Sequence, residues 1–396
     1  KIRRFMQTDM LGPKAAKGYV PGMIQACRVA SQGAPSHAKN INDYMTLCSF
    51  DMFSSIVFGD FPEQAGGSKS DNEQDENAKF CQSSVAAVER IFPLVLSPAE
   101  RAQNQFLGMK TDLYSAFEGD FTVAREIAFR KLEYFKERKA NGELLTQFEE
   151  ESYASLAIDR YLNSLGEEDT LKEEDIGEII VVALIAALDT TSSILNWCIV
   201  HLATNPNAQE ELYAEVSSNV ASNRGVLTEE CFSKSNSVYL NAVLRENHRI
   251  TPAVGLNLAK ENVTGEVKIH GETIPKQSMC LLDTRSIGMD PDIVPNPDKF
   301  DPTRWIDEDQ VMGRKGTPAQ VLDHPLYREP FSAGARKCPG SRVANYEAKV
   351  LLSQLVLDWK ISFAEDGKVK SWRDVPYYNG LSVQPTVPEL SFEKRQ

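Results

Sequence analysis

The pattern of apolar and polar residues along the first half of the chain predicts helices. Segments 42–58, 84–92 and 111–139 have a helical pattern, and the third is followed by an Asn-Gly pair, which commonly stops a helix. Between the first two segments, residues 65–77 are polar and aperiodic and contain glycine. This composition predicts a solvated loop, to which we assign no chemistry.

The central part of the chain predicts one helix that is much longer than the others. Thr170 and Glu173 have the spacing of a capping box, which opens a helix, and Pro206 follows its end. About 34 residues of helix result, enough at roughly 1.5 Å per residue to cross a domain. Because the run 179–188 is apolar on every face, we expect the middle of this helix to be buried. The run has ten residues and a spanning helix needs roughly 18, so we predict no transmembrane segment.

Beyond Pro252, which ends a predicted helix at 236–250, the pattern changes to short extended segments. A glycine-rich loop at 332–340 then precedes a last helix at 342–357. The predicted strands are 255–258, 267–270, 279–282, 359–363 and 381–384. The predicted fold class is mainly α with small β-sheets, in a single domain over residues 1–396, since we find no internal repeat and no clear linker.

Composition excludes several classes of protein. The 43 basic and 56 acidic residues give a net charge of −13, which argues against a general polyanion binder, so we expect no nucleic acid partner. With 42% hydrophobic and 25% charged residues, the chain has the composition of a folded protein. The seven cysteines are odd in number and include no CxxC pair, which excludes a disulfide framework and a zinc knuckle.

The strongest chemical signal surrounds Cys338, in the glycine-rich loop before the last helix. Glycines let a backbone approach a flat ligand closely and permit positive φ. Arg336 and the N-terminus of the following helix place positive charge near Cys338, which favours its thiolate form. The alternative is a structural cysteine in a turn, because free cysteines are among the most buried residues. Five fixed positions in one short segment favour the functional interpretation. They are Phe331, Gly334, Arg336, Cys338 and Gly340.

The FxxGxRxCxG spacing of these residues resembles the haem-ligand signature of the cytochrome P450 superfamily. The resemblance implies haem b as the cofactor, with the Cys338 thiolate as iron ligand and the other four residues around the haem. Members also carry an ExxR pair and an FxPxRW segment, which match Glu246, Arg249 and Arg304 here in the same order. The resemblance implies that these three form a buried network. The ExxR pair alone would be interpreted as a solvated i,i+3 ion pair.

A further resemblance lies within the long apolar helix. Residues 186–191 read AALDTT and are similar to the [AG]-G-x-[DE]-T-[TS] segment of the superfamily, with Ala187 in place of the usual glycine. The resemblance implies that Asp189 and Thr190 are catalytic and supply protons. An acid and hydroxyls inside an apolar helix are costly unless they are paired. The structural alternative is a threonine bonded back to the carbonyl oxygen four residues earlier.

The resemblance covers essentially the whole chain and implies further haem and substrate contacts. Arg4 resembles the arginine that meets a haem propionate, whereas Lys260 stands where a second such arginine is expected. The implied walls of an apolar substrate pocket include Leu184, Ala187, Val254, Leu256 and Leu381. The chain begins at Lys1, just after an expected tryptophan. We therefore expect an N-terminally truncated member that lacks its N-terminal helices and first strands.

These features imply a haem-thiolate monooxygenase that inserts one oxygen atom from O2 into an apolar organic substrate. The electrons would come from an external donor, a ferredoxin or a flavoprotein reductase, because we find no GxGxxG fingerprint. Two other classes stay open. One is a haem-thiolate isomerase or dehydratase that needs no electrons, although such relatives generally lack the Thr190 hydroxyl, and the other is a non-catalytic haem-binding protein.

Segment 10–23 is similar to the mitochondrial-type branch, in which a ferredoxin delivers the electrons. We expect membrane association through the missing N-terminal part, at the mitochondrial inner membrane or the endoplasmic reticulum. In that branch two basic residues of the ExxR helix face the ferredoxin. Arg245 matches one of them, and Asn241 occupies the other position. The other basic residues of the expected docking face are Arg328, Arg336, Lys337, Arg342 and Lys349.

Overall fold

Helices form most of the structure, a computed structural model whose described residues are 10, 12–66, 75–97, 99–100, 103, 108–163, 172–254, 260–281, 283–328, 330–332, 334, 337–365, 367–380 and 382–395. The helices are α1 (Pro13–Gly18), α2 (Val20–Gly33), α3 (Ile41–Val57), α4 (Glu76–Leu96), α5 (Asp112–Asn141), α6 (Gln147–Glu150), α7 (Tyr153–Asn163), α8 (Glu173–Thr204), α9 (Pro206–Ser222), α10 (Val238–Ile250), α11 (Thr284–Met289), α12 (Glu308–Gly313), α13 (Pro325–Arg328) and α14 (Ser341–Asp358). The predicted class, mainly α with small β-sheets, is confirmed.

The sheets are small and antiparallel. The strands are β1 (Lys260–Glu261), β2 (Val267–Ile269), β3 (Glu272–Ile274), β4 (Met279–Cys280), β5 (Trp359–Phe363), β6 (Tyr377–Asn379), β7 (Val383–Pro385) and β8 (Leu390–Lys394). They pair as β1 with β4, β2 with β3, β5 with β8 and β6 with β7. Because β5 continues directly from α14, the β5–β8 pair holds the end of the chain against the last helix. The predicted strand at 255–258 lies outside the described residues.

Local capping sets where the helices begin and end. The Thr111 hydroxyl accepts the N–H of Tyr114 at 3.1 Å at the start of α5, and Gly142 ends that helix with a φ of 67°. Helix α4 begins eight residues before the predicted segment, because the Asp75 carboxylate accepts the N–H of Asn77 at 3.0 Å and starts a helix within the predicted solvated loop. Residues 67–74 of that loop lie outside the described part of the chain.

The capping at the start of α8 differs from the predicted box. The Asp175 carboxylate accepts the N–H of Lys172 at 2.8 Å, which satisfies a backbone donor that the helix itself leaves free. Thr170, the first residue of the predicted box, lies outside the described residues. The helix ends at Thr204, before Pro206, as predicted.

Helix α8 is the centre of the core and packs against α3, α4, α5, α10 and α14. Leu188 and Trp197 are at most 1% exposed, whereas Val182 and Ala186 lie on an exposed strip. We predicted no transmembrane segment, and by length and composition the helix over Glu174–Thr204 could cross a membrane. Within the described residues, 61% of its most apolar window is buried inside the protein, which is typical of a core helix.

Candidate active site

A cavity of about 550 Å³ lies along the exposed strip of α8. Its volume is in the range of roughly 300–1,000 Å³ that is usual for ligand pockets. The residues that matter for its chemistry are Ala183, Ala186, Ala187, Thr190 and Thr191 of α8, His248 of α10, Ala253 and Val254 after it, Phe331, Ser332, Cys338 and Gly340 of the loop before α14, and Glu347 of α14. Most of the wall is apolar, so the cavity suits an apolar ligand with a few polar contacts.

The loop before α14, which we call the cysteine loop, places Cys338 in the cavity wall. The Cys338 N–H donates to the Phe331 carbonyl oxygen at 2.8 Å, and the Lys337 N–H donates to the Gly334 carbonyl oxygen at 3.1 Å. Gly334 has a φ of 73°, a conformation that glycine adopts without strain. These contacts place Cys338, an exposed cysteine outside any disulfide, just before the N-terminus of α14, where the helix dipole favours a thiolate. Arg336 lies outside the described residues.

Glu246, Arg249 and Arg304 meet in one buried network. The Arg249 guanidinium donates to both Glu246 carboxylate oxygens at 2.7 and 2.9 Å, and Arg304 donates to the same carboxylate at 3.2 Å. The Trp305 indole N–H donates to it at 2.9 Å, and the Asp301 N–H at 3.0 Å. Our sequence reasoning placed Trp305 in the matched FxPxRW segment but not in the network. The network ties α10 to the segment that leads into the cysteine loop.

The two polar residues proposed for proton supply face different neighbours. Thr190 lines the cavity, and its hydroxyl donates to the Ala186 carbonyl oxygen at 2.8 Å, which is the structural alternative considered above. Asp189 is not among the described residues that line the cavity, because its carboxylate points to β7, with Oδ1 3.3 Å from the Gln384 amide nitrogen. The other oxygen, Oδ2, has no hydrogen-bond partner among the described residues.

Glu347 is a cavity-lining carboxyl group that the sequence analysis missed. It is fully buried on α14 and accepts a hydrogen bond from the Thr191 hydroxyl at 3.3 Å. Burial raises the pKa of Glu347 to about 7, and the hydrogen bond from Thr191 opposes this shift. An acidic residue among the apolar residues of the last helix is the signal that could have revealed it.

The predicted substrate-pocket residues have separate outcomes. Ala187 and Val254 line the cavity. Leu184 is fully buried in the core and is not among the described lining residues, since it projects from another side of α8. Leu256 and Leu381 lie outside the described residues, as does Arg4, which the resemblance predicted to contact the haem.

Two cations of the expected docking face are largely withdrawn from solvent. The Arg245 side chain is 18% exposed, donates to Asp323 at 3.1 Å and lies 3.9 Å from the centre of the Trp305 ring. Burial lowers the pKa of Arg245 to about 10, and burial likewise lowers the pKa of the half-buried Lys349 to about 8. Desolvation and the contact with Asp323 thus tie Arg245 to the scaffold, and its predicted contact with an electron donor stays a prediction.

A thiol at the N-terminus of a helix, in the wall of an apolar cavity beside a core helix, is the arrangement of a haem-thiolate protein. A family model described as cytochrome P450 matches residues 1–391, so the chain belongs to that family. The match covers nearly the whole chain and includes the loop around Cys338.

Relatives and solved structures agree with this assignment. The chain is 30% identical over 230 residues to the mitochondrial sterol 26-hydroxylase of Mus musculus, and 31% identical over 234 residues to cytochrome P450 76C1 of Arabidopsis thaliana. These matches cover 58% of this chain and only 41% and 42% of the relatives, less than half of their length. The crystal structure of a cytochrome P450DA heme domain superposes with a TM-score of 0.72, at 20% identity over 99% of this chain and 76% of that one, and it supports the fold.

Family membership implies a haem held by a cysteine thiolate, and the described residues fit this group. Cys338 supplies a soft thiolate ligand at the cavity wall, and the small side chains of Ala183, Ala186 and Ala187 leave space along α8. The apolar lining keeps water away from a macrocycle that is itself mostly apolar. Cys338 would therefore hold the iron, with Phe331 of the same loop beside it.

Proposed function

We propose that this chain carries the catalytic centre of a haem-thiolate monooxygenase, which inserts one oxygen atom from O2 into an apolar organic substrate. The observation that carries the proposal is the position of Cys338 in the wall of the apolar cavity that Thr190 also lines. When bound, the haem would supply the oxygen chemistry, with a thiolate that favours O–O cleavage. The chain's own residues would hold the cofactor, exclude water and donate protons.

The apolar wall of the cavity provides a binding surface for an organic substrate. Ala187 and Val254 form parts of the cavity surface that an organic substrate can contact without losing a hydrogen bond. Burial of apolar surface stabilises such a substrate by roughly 25 cal/mol for each Å² removed from water. We therefore expect an apolar substrate, and binding beside Thr190 would place it close to the reacting oxygen.

Proton supply would rest on the hydroxyl and carboxyl groups of the cavity. Thr190 and Thr191 are adjacent on α8, and Thr191 donates to Glu347. A carboxyl group with a pKa of about 7 is protonated in a large fraction of molecules at neutral pH and can release a proton. We propose Thr190 as the group next to the reacting oxygen, with Glu347 as a proton-holding group behind Thr191. Asp189 is retained as a catalytic proposal that would require its side chain to turn away from Gln384.

The electrons would come from an external donor, a ferredoxin or a flavoprotein reductase. Arg328 and Arg342 are exposed near the cysteine loop, and Lys337 is half-buried within it. These cations suit an acidic partner despite the net charge of −13. The similarity to a mitochondrial sterol 26-hydroxylase supports a mitochondrial location. We propose a ferredoxin as donor at the mitochondrial inner membrane, with the endoplasmic reticulum as the alternative location.

The experiment that tests the reaction is a turnover assay with an apolar substrate library under ¹⁸O₂. We expect one labelled oxygen atom in the product, and only when a reductase system is present. Product without a reductase would favour the isomerase or dehydratase alternative, whose reactions need no external electrons. Haem binding with no product and no substrate-dependent electron consumption, across several reductases, would favour the non-catalytic alternative.

The matched variants are Thr190→Ala and Thr204→Ala. Both threonines bond back to the carbonyl oxygen four residues earlier on α8, but Thr190 lines the cavity and Thr204 ends the helix far from it. We expect Thr190→Ala to lower product per electron by roughly tenfold or more, since a positioned proton-transfer group contributes about 10²- to 10⁴-fold to a reaction. Thr204→Ala should leave this ratio unchanged, and an equal effect of both variants would argue against the role of Thr190.

A further inference from the structure

The cavity offers few hydrogen-bond donors to an anionic ligand. Among the described lining residues there is no lysine or arginine, whereas Asp175, Glu178 and Glu347 are acidic. The hydroxyl groups of Thr190 and Thr191 already donate to Ala186 and Glu347. A haem carries two carboxylates, and a buried carboxylate without donors is costly. Any further donor among the described lining residues would therefore help to hold such a group.

His248 is another polar residue of this lining. It lies on α10 between the two ion-paired residues of the buried network, and its ring lines the cavity together with Cys338. The ring packs edge-to-face against Phe331, with the ring centres 6.1 Å apart. Burial lowers the pKa of His248 to about 4, so the imidazole is neutral at physiological pH and carries one N–H.

A second, smaller cavity also borders His248. It has a volume of about 20 Å³, enough for one water molecule, and is lined by His248, Arg245 and Tyr327 among others. The His248 Nδ1, the Arg245 Nε and the Tyr327 hydroxyl are all buried without a hydrogen-bond partner among the described residues. A water molecule there can donate to Nδ1 while it accepts from Arg245. The proton of His248 then resides on Nε2, which is free to donate into the large cavity.

We propose that His248 binds a carboxylate of the haem, donating a hydrogen bond from Nε2, and that a water molecule shared with Tyr327 and Arg245 fixes the required tautomer. The inference rests on the proposed haem function and adds a cofactor-binding residue to it. The position of His248 beside Phe331 and Cys338 places this hydrogen bond on the same wall as the iron ligand.

The test compares two cofactors that differ in their two carboxyl groups, which are free acids in one and methyl esters in the other. The full chain is prepared free of haem and titrated separately with haemin and with haemin dimethyl ester. The readout is the ratio of the affinity for haemin to the affinity for its dimethyl ester. We expect His248→Phe to lower this ratio by roughly tenfold, the size of one hydrogen bond to a charged group. His248→Gln, which keeps an N–H donor, should restore most of the ratio, and Tyr327→Phe should lower it by a smaller factor.

The matched control is His324→Phe, since His324 is exposed and outside the described lining of both cavities. The ratio should stay at the wild-type value in this variant. An unchanged ratio in His248→Phe, or an equal loss of affinity for both cofactors, would overturn the inference and leave the haem assignment intact. If the wild-type chain binds neither cofactor, the haem assignment fails, and the inference fails with it.

Discussion

Burial sets the ionisation of two carboxyl groups of the folded chain, those of Glu347 and Asp51. Glu347 is fully buried with one hydroxyl partner, and its pKa is raised to about 7 by desolvation. The pKa of Asp51 on α3 is also raised to about 7 by desolvation, although the N–H groups of Gln64 and Ala65 donate to its carboxylate at 3.0 and 2.9 Å. Both carboxyl groups therefore favour the protonated form in the folded chain more than in the unfolded chain.

The pH dependence of stability follows from this difference. Because the folded-state pKa of Glu347 lies above its ordinary value of 4.5, its contribution to stability is complete below pH 4.5 and is lost as the pH rises through about 7. We expect Glu347→Gln to be more stable than the wild type by up to about 3 kcal/mol at pH 8, and equal to it within about 1 kcal/mol at pH 5. Urea unfolding at the two pH values measures the difference. Glu308→Gln, at an exposed position, is the control. If the difference in unfolding free energy between Glu347→Gln and the wild type were the same at both pH values, the raised pKa of Glu347 would be contradicted.

At the scale of elements, the buried network joins α10 to the irregular segment before the cysteine loop. Arg249 donates to the carbonyl oxygens of Gly288 and Pro297 at 2.8 and 2.7 Å, in addition to Glu246. Glu246 in turn accepts from Arg304 and Trp305. The buried pair of Glu246 and Arg249 therefore fixes the segments around Gly288, Pro297 and Arg304 against α10. A solvated ion pair on the helix surface makes no such contacts.

Removal of the Glu246 carboxylate distinguishes a buried, stabilising network from a solvated ion pair on the helix surface. Glu246→Gln leaves two buried guanidinium groups without their charge partner, and we expect a loss of about 3–5 kcal/mol in the free energy of unfolding. Trp305→Phe removes a single hydrogen bond to the carboxylate and should cost about 2 kcal/mol. Chemical denaturation of both variants measures these losses. A loss below about 1 kcal/mol for Glu246→Gln, the size found for surface ion pairs, would show that the network contributes no more than an exposed pair.

The sequence predicted elements best where a local signal is strong. The end of α5 at Gly142, the long α8 and the helix after Cys338 follow from a stop signal, an apolar run and a glycine-rich loop. Glu347 and His248 were missed because their importance depends on which side of a helix faces a cavity, and that is set by tertiary packing. The direction of Asp189 likewise depends on Gln384, which lies 195 residues away in sequence.

For the molecule as a whole, the net charge is negative although exposed cations lie near the cysteine loop. The chain has a net charge of −13, yet Arg328 and Arg342 are exposed close to the cysteine loop. Electrostatic attraction between exposed charges is screened beyond about 10 Å at moderate ionic strength, so these two arginines matter more to a partner docked beside them than charges farther away do. Arg245, stacked on Trp305 and paired with Asp323, serves the scaffold instead.

Charge reversal should separate docking from scaffold residues. We expect Arg342→Glu and Arg328→Glu to slow reduction by an acidic ferredoxin several-fold at low salt, and the effect should shrink as salt rises, because screening weakens the lost attraction. Arg245→Gln should instead lower stability, with little change in the salt dependence of reduction. Stopped-flow reduction rates and urea unfolding measure the two effects. If Arg245→Gln alone changed the salt dependence, the docking face would have to be moved to α10.

Cys338 is proposed to hold a haem iron as a thiolate, and the absorption spectrum of the reduced protein under carbon monoxide reports on this bond. The wild-type chain loaded with haem should show the strongly red-shifted Soret band of a thiolate-ligated haem. Cys338→Ser should lose that band, whereas Cys280→Ser, at a cysteine outside the described cavity lining, should keep it. A red-shifted band that persists in Cys338→Ser, or its absence from the haem-loaded wild type, would contradict the account.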